Sequence, residues 1–444
     1  MLMPEFLNEF AVSLAPKKDA LKDKVLKGTP NPLADRFREK FPSFWVKIDD
    51  QAKLGASLAE LSVMAVDSSV YSNLLSTGGV FYVVRSLAVC RDVEHKRLES
   101  DVFFSKGGSV AEKEYISVKM EMLEFQVAID ALKSGLGCST ILIDGSLFGR
   151  LVHVPLESKV EEDRLILLNY FKVYQELLDL CKKNNVLLLG VAKESRSTSF
   201  RDYLLSMIFR EELEKAEIDD DDARMLKPLF MEVVDNSTEG LRKFERFRQK
   251  YGEKLEKIRL VFDELARSRP DYQVVMNFSG SVGYTKPLLL GLSPRLARRL
   301  EESRSSAKSY VRKNFPNTLR ERGKEFVDEA AQVVAGIPEF PAIVSFYVLF
   351  DRRDSPIRID VPYYDQKLID VGWHKPVNLD VDSALKVLAT GYCGLDCHNL
   401  WLKNVDERVR LKKKTVDNIY VPYMEKLFGE KIIRGRSYRR VKYP

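Results

Sequence analysis

Two aspartates stand where apolar, strand-like segments of the sequence end. Asp67 lies in LSVMAVDSSVY, and Asp144 closes TILID. Because neighbouring parallel strands present their carboxyl ends at the same edge of a sheet, we expect these two carboxylates to lie side by side. Glu121 lies in the helical segment that leads into the second strand, and Glu124, three residues on, shares its helix face. The spacing leaves open which glutamate joins the aspartates.

Several carboxylates that converge at one point repel each other unless a cation neutralises them. Oxygen ligands select hard cations such as Mg²⁺ or Mn²⁺. Two such ions would activate a water and stabilise the leaving oxygen when a phosphodiester is cleaved. A lone aspartate in a sequence such as LIDGS is also typical of a turn, so the metal hypothesis rests on the joint placement of these acids.

The elements that must position these acids follow a simple order. Apolar and β-branched runs predict strands, and apolar residues three to four apart predict helices. Strands are predicted at 61–71, 79–91, 93–106, 140–144 and 186–192, with helices at 115–134 and 161–184. Hairpins followed by strand–helix–strand crossovers imply an α/β fold with a mixed sheet flanked by helices.

Changes in composition divide the rest of the chain. The predicted divisions are an N-terminal helical extension (1–60), the first half of the core (61–199), a charged helical insertion (200–270), the second half of the core (271–428) and a basic tail (429–444). Within the second half, strand-like sequence covers 273–290, a hairpin is predicted from 342–350 and 356–362, and helices are predicted over 295–335 and 378–428.

The composition excludes a disordered or disulfide-framework protein. The chain has 444 residues, 45% hydrophobic and 31% charged, with five scattered cysteines that are expected to be reduced thiols. No signal-peptide pattern or membrane-spanning apolar run occurs. These features predict a soluble, cytoplasmic protein without a membrane partner.

Positive charge is concentrated in two stretches. The net charge is +6, but residues 294–324 alone carry ten Lys or Arg against three acids, and 403–444 carry thirteen against five. Residues 211–222 are acidic. The basic stretches are either solvated helix faces or a surface that attracts a phosphate backbone.

Five motifs, taken in order, resemble the NurA nuclease family of archaea and some bacteria. The motifs are VDSSVYS at 66–72, LIDGSL at 142–147, VAKESRS at 191–197, FYVLFDRRDSPIRIDVP at 346–362 and GYCGLDCHNLWLKNVDERVRL at 391–411. The resemblance covers roughly residues 60–415 and implies a ribonuclease H-like fold. It matches Asp67, Glu121 and Asp144 to the acidic metal ligands of the family, His398 to its C-terminal histidine and Tyr392 to a nearby tyrosine.

The resemblance implies a Mn²⁺-dependent (or Mg²⁺-dependent) DNA nuclease that works with a HerA-type hexameric ATPase. The implied activities are 5′–3′ exonuclease and single-strand endonuclease, used to resect DNA ends in double-strand break repair and homologous recombination, by a homodimer. The alternatives are a DNA-gripping subunit without catalysis and, with less support, a guide-dependent PIWI-like module.

Each remaining candidate residue has a plain structural alternative. His398 could hold a metal or orient water, or it could serve only in packing near the start of a helix. Tyr392 could contact DNA or be a buried aromatic residue. The predicted phosphate contacts are Lys193 and Arg196 beside the acids, and Arg298, Arg299, Lys308, Arg312 and Lys313 on the basic helices.

Overall fold

A computed structural model describes residues 6–27, 31–49, 54–151, 153–235, 238–267 and 269–433. Most of the predicted basic tail, residues 434–444, lies outside the described residues. Contacts divide the chain into two compact units, one made of residues 1–41 and 204–268, the other of 42–203 and 269–444. None of the helices in the described ranges is both long and apolar enough to cross a bilayer.

One mixed sheet lies in the second unit. Its strands are β1 (Trp45–Lys47), β2 (Val63–Leu74), β3 (Val80–Cys90), β4 (Val93–Phe103), β5 (Thr140–Asp144), β6 (Leu187–Ala192), β7 (Gly283–Thr285), β8 (Leu288–Leu289), β9 (Pro341–Leu349), β10 (Ile357–Lys367) and β11 (Lys375–Pro376). Their order is β1-β7-β9-β10-β6-β5-β2-β3-β4, with β8 joining β11 to β9. β2, β5 and β6 are parallel neighbours, and β3 and β4 extend β2 as antiparallel hairpins.

The helices of the described chain are numbered in sequence order. They are α1 (Leu7–Leu14), α2 (Lys18–Lys27), α3 (Ala34–Lys40), α4 (Gly108–Lys133), α5 (Leu147–Leu151), α6 (Ile166–Lys183), α7 (Ser199–Lys215), α8 (Asp220–Val234), α9 (Thr238–Tyr251), α10 (Glu256–Leu265), α11 (Asp271–Phe278), α12 (Pro294–Ser305), α13 (Ala307–Asn314), α14 (Pro316–Gly336), α15 (Asp382–Gly391), α16 (Leu400–Val409), α17 (Lys413–Thr415) and α18 (Val421–Phe428).

Helices cover the sheet around β2, which lies between β5 and β3. α4 lies on β2, β3 and β4 and packs against α6, where the rings of Phe125 and Tyr174 stack with centroids 4.4 Å apart. α16 packs on β2 and β3, and its Leu402 and Val405 join a core with α15 and the sheet. The predicted α/β class, a mixed sheet flanked by helices, is confirmed.

Three local predictions differ from the structure. The segment 273–280 is not a strand, because α11 begins after Pro270 and buries Val274 and Val275 together on one helix face. The N-terminal 60 residues are not all helical, since β1 pairs with β7 at the end of the sheet. Asp67 does not end its strand, because β2 runs on to Leu74 as a hairpin with β3.

The other unit is helical. Its apolar centre includes aromatic rings from α7 to α10, with Phe209 and Phe230 stacked at 5.0 Å and Phe244 and Phe262 stacked at 4.1 Å. The acidic stretch found in the sequence is partly neutralised within this unit, since Asp222 accepts hydrogen bonds from the Lys250 ammonium and the Tyr251 hydroxyl.

A tight turn after β5 carries the chain from Asp144 into α5. Gly145 has φ +104°, which a residue with a side chain adopts only under strain. On β6, a Cβ at Gly190 would lie 2.8 Å from the carbonyl oxygen of Gly145 and 2.9 Å from the backbone nitrogen of Leu147. The turn can therefore approach β6 only because position 190 has no side chain.

We expect Gly190→Ala to lower the free energy of unfolding by about 1–3 kcal/mol, because backbone atoms must move to admit the methyl group. Urea denaturation followed by circular dichroism measures this change. Gly137→Ala is the matched control, since a Cβ there meets nothing within 4 Å. Its free energy of unfolding should stay within about 0.5 kcal/mol of the wild-type value. Equal effects at the two positions would contradict the proposed close approach.

Candidate active site

Asp67 and Asp144 are neighbours across two parallel strands. The paired residues of β2 and β5 end with Val66 opposite Ile143, so the next residue of each strand is an aspartate. Alternate residues of a strand point to the same face, and Ala65 and its neighbours on that face pack toward α15 and α16. The two carboxylates therefore lie side by side on the α16 side of the sheet, where β5 ends at Asp144 and β2 continues past Asp67.

Asp67 is held in an environment that disfavours its charge. Burial, together with the nearby negative charges of Glu124 and Asp144, raises the pKa of its carboxyl group to about 7. The backbone N–H of Ser68 donates to Oδ1 of Asp67 over 2.8 Å and opposes the rise. A cation bound at this point would relieve that repulsion.

Glu124 approaches from α4 and is fixed on both carboxylate oxygens. The Ser68 hydroxyl donates to one oxygen, and the Arg150 guanidinium donates to the other over 2.5 Å. Arg150 also donates to the backbone carbonyl of Asp144 at 3.0 Å and lies over the Phe125 ring. Burial nevertheless raises the pKa of Glu124. Arg150 thus ties the helix carboxylate to the end of the aspartate strand.

Glu121 has a different set of neighbours. The Tyr170 hydroxyl donates to its carboxylate over 2.6 Å, and Nε2 of His153 lies 3.2 Å from the same oxygen. Burial works to raise the pKa of Glu121, but the contact with His153 and the charge of Arg150 hold it below its ordinary value. Of the two glutamates that the sequence left open, Glu124 is hydrogen-bonded to Ser68, the residue after Asp67, and its charge acts on the Asp67 carboxyl group, while Glu121 is bound by His153 and Tyr170.

Asp144 is paired with a lysine from the adjacent strand end. Nζ of Lys193 lies 3.1 Å from Oδ2 of Asp144. The register places Asp144 opposite Val191, so Lys193 stands two residues farther along β6 and just past its end. A residue that the sequence predicted to contact phosphate is therefore in direct contact with one of the predicted metal ligands.

His398 stands just before α16 and faces the same edge. Its Nε2 is buried and has no hydrogen-bond partner among the described residues. Burial and the charge of Lys193 lower the pKa of His398 to about 4, against the opposing effect of the charges of Asp144 and Asp354. The imidazole is therefore neutral at pH 7 and keeps a free lone pair on one ring nitrogen.

Tyr392 joins the loop between β9 and β10 to this edge. Its hydroxyl donates to Oδ2 of Asp354 over 2.9 Å, and its ring packs against Phe350 with centroids 5.1 Å apart. Burial and the Asp354 carboxylate raise the pKa of Tyr392 well above its usual range. The sequence singled out Tyr392 but not Asp354, which the motif at 346–362 contains.

The predicted phosphate-binding residues fall into two groups. Lys193 and Arg196 are exposed near the aspartate edge. On the basic helices, Arg298, Lys308, Arg312 and Lys313 are exposed and Arg299 is half-buried, with Lys308 2.7 Å from Asp328 and Lys313 3.7 Å from Glu302.

The end of α12 lies at the far side of the sheet. Arg304 is 3.6 Å from Asp370 and 3.9 Å from Glu339, which precedes the start of β9. Because β9 is antiparallel to β10, and β10 to β6, this start lies at the edge opposite Asp144. The structure does not bring Arg304 to the aspartate edge.

The family of this chain follows from its match to a known domain. The NurA domain matches residues 61–371, which is more than half of the chain. This chain belongs to the NurA family. No curated protein sequence matches it.

Solved NurA structures resemble this chain at low identity. The NurA nuclease from Sulfolobus solfataricus is 14% identical, with a TM-score of 0.51 over 96% of this chain and 98% of that one. A second NurA structure is 15% identical over 93% and 98% of the chains, with a TM-score of 0.41. A NurA structure with manganese is 14% identical over 92% and 96%, with a TM-score of 0.37.

Sequence reasoning missed two side chains of this NurA-family site. Arg150 carried no signal, because one arginine in LFGRL resembles any helical surface residue, and yet it is 5% exposed. Asp354 lies in the motif FYVLFDRRDSPIRIDVP, which offered three acids and no reason to choose among them.

The donor set of this NurA chain suits a divalent metal such as Mn²⁺. Two carboxylates with an unpaired, neutral imidazole nitrogen nearby combine the oxygen and nitrogen ligands that Mn²⁺ accepts. As the side chains stand, no three His, Cys, Asp or Glu groups in the described residues are gathered for a metal. Asp144 faces Lys193 instead, and Glu124 faces Arg150.

The raised pKa of Asp67 predicts how stability depends on pH without metal. The folded state holds this proton up to about pH 7 and the unfolded state only to about pH 4, so the free energy of unfolding should fall as pH rises between these values. Asp67→Asn removes the charge, and we expect it to stabilise the protein at pH 8 by about 2 kcal/mol more than at pH 4.5.

Urea unfolding in EDTA at both pH values measures this difference. Asp92→Asn is the control, because Asp92 is an exposed aspartate in the turn between β3 and β4. If the Asp67→Asn effect were the same at pH 4.5 and pH 8, the electrostatic interpretation of this site would be wrong.

Proposed function

We propose that this protein is a nuclease that hydrolyses DNA phosphodiesters with a bound divalent cation, Mn²⁺ or Mg²⁺. The observation that carries the proposal is the adjacency of Asp67 and Asp144 at one sheet edge, where Asp67 is already destabilised as an anion. Membership of the NurA family supports it, and a NurA chain of similar fold is described as a nuclease.

Asp67 and Asp144 are the proposed metal ligands, with a glutamate of α4 as the third carboxylate. The effect of the Glu124 charge on Asp67 favours Glu124 for this role, whereas the sequence resemblance favours Glu121. A bound divalent cation would supply positive charge that activates water and stabilises the leaving oxygen.

His398 and Tyr392 complete the proposed machinery. His398 offers its unpartnered Nε2 either as a further metal ligand or as an acceptor for a proton of the attacking water. Tyr392, held by Asp354, is positioned to donate to a phosphate oxygen if that carboxylate releases it.

DNA is proposed to approach over Lys193 and Arg196 and to be held by the exposed cations of the basic helices. Such contacts release counterions, so affinity for DNA should fall steeply as salt concentration rises.

The finer assignments rest on the family resemblance. We propose 5′–3′ exonuclease and single-strand endonuclease activities that resect DNA ends for double-strand break repair and homologous recombination, in the cytoplasm, by a homodimer working with a HerA-type ATPase. End-labelled DNA distinguishes the polarity, and multi-angle light scattering with and without the ATPase tests the assembly.

We expect Asp67→Asn and Asp144→Asn each to lower the rate of DNA cleavage in Mn²⁺ at least 100-fold, because each removes a charge that would hold the cation. A fluorescent single-stranded substrate reports the rate. Asp92→Asn, which removes an exposed carboxylate elsewhere, should leave it unchanged. Full activity in either site variant would rule out the proposed metal site.

The same assay separates the two glutamates. If Glu124 is the third ligand, Glu124→Gln should lose far more activity than Glu121→Gln at low Mn²⁺ and regain part of it at high Mn²⁺. The reverse order would assign the role to Glu121.

A DNA-gripping subunit without catalysis is the second candidate. The observation that favours it is that Lys193 and Arg150 already neutralise two of the acids. This function predicts DNA binding that needs no metal, and no cleavage by the wild-type protein in either Mn²⁺ or Mg²⁺.

A further inference from the structure

The ion pair between Lys193 and Asp144 suggests how the site changes state. We propose that Lys193 is a resident cation that competes with the divalent metal for Asp144 and, once displaced, contacts the DNA phosphate beside the metal. This inference rests on the proposed nuclease function and adds a regulatory step to it.

The two ion pairs of the site differ in their exposure. The side chains of Arg150 and Glu124 are each 6% exposed, whereas those of Lys193 and Asp144 are 45% and 29% exposed. Breaking a buried pair leaves a desolvated charge, but breaking an exposed pair costs little because water replaces the partner. The Lys193–Asp144 pair is therefore the exchangeable one.

The backbone around Lys193 allows its side chain to move alone. β6 is held between β5 and β10, with Val191 paired to Ile359 and opposite Asp144, so the strand end is fixed. Lys193 lies just beyond this point on a flexible four-carbon stem that ends in a compact charge. Its ammonium can leave Asp144 without any change in the sheet.

Charge balance gives the displacement a direction. Asp67, Glu124 and Asp144 carry up to three negative charges, against one positive charge each on Arg150 and Lys193. A divalent cation adds two positive charges, which makes the charge of Lys193 surplus at Asp144 and repels it. An anionic phosphate at the same edge is the nearest partner that substrate binding would provide.

The competition predicts opposite effects on metal and on DNA. Without DNA, we expect Lys193→Met to bind Mn²⁺ about 3- to 30-fold more tightly than the wild type, because the competing charge is gone. Lys193→Arg should bind Mn²⁺ no more tightly than the wild type, because its charge remains. At saturating Mn²⁺, Lys193→Met should cleave DNA at least 5-fold more slowly, with a raised KM.

Electron paramagnetic resonance of free Mn²⁺ measures the metal affinity of each purified full-length protein. Lys133→Met is the matched control, since Lys133 forms an exposed ion pair with Glu176 on another surface and the variant loses the same charge. Its Mn²⁺ affinity and its cleavage rate should equal those of the wild type.

The possible failures are distinguishable. Equal Mn²⁺ affinities of the wild type and Lys193→Met would overturn the competition but leave the nuclease proposal standing. If Lys133→Met also bound Mn²⁺ more tightly than the wild type, the cause would be net charge in general, and the proposed competition would be overturned. If neither the wild type nor Lys193→Met bound Mn²⁺, both the inference and the metal-dependent function would be wrong.

Discussion

The structure of this site depends on the repulsion between carboxylates that the sheet forces together. Adjacent parallel strands deliver Asp67 and Asp144 to one edge whatever the side chains prefer, because the register is set by the apolar residues before them. The surrounding residues then have to offset that charge. They do so with one buried cation, Arg150, and one exposed cation, Lys193.

The buried cation, Arg150, has a structural role. Arg150 donates hydrogen bonds both to Glu124 on α4 and to the carbonyl group of Asp144. These bonds fix the spacing between the helix and the end of β5. Its own position is supported by the turn into α5, where the buried Asp360 accepts hydrogen bonds from the Ser146 hydroxyl and the Phe148 backbone. A charged network in the interior thus fixes the geometry, and the mobile charge lies at the surface.

Much of the fold could be predicted because strands and helices have distinct periods. The sequence predicts the two strands that contain Asp67 and Asp144 and the helix between them. Most ends of these three elements lie within a few residues of the predicted positions, and the largest difference is at the start of the helix. The segment 273–280 failed, since a short apolar run such as QVVMNF suits either period and only its packing selects a helix. In the site, the same limit applies to the choice between Glu121 and Glu124.

The sequence by itself determined the strand order around the aspartates, their common edge and the acidic character of the site, because these follow from local periodicity and chain direction. Only the tertiary structure decided that Glu124 is hydrogen-bonded to Ser68 beside Asp67, that Arg150 is buried against Glu124 and the Asp144 carbonyl group, and that Lys193 pairs with Asp144. Those pairings join side chains from separate elements, and their partners depend on how a helix is rotated against the sheet, which no local pattern specifies.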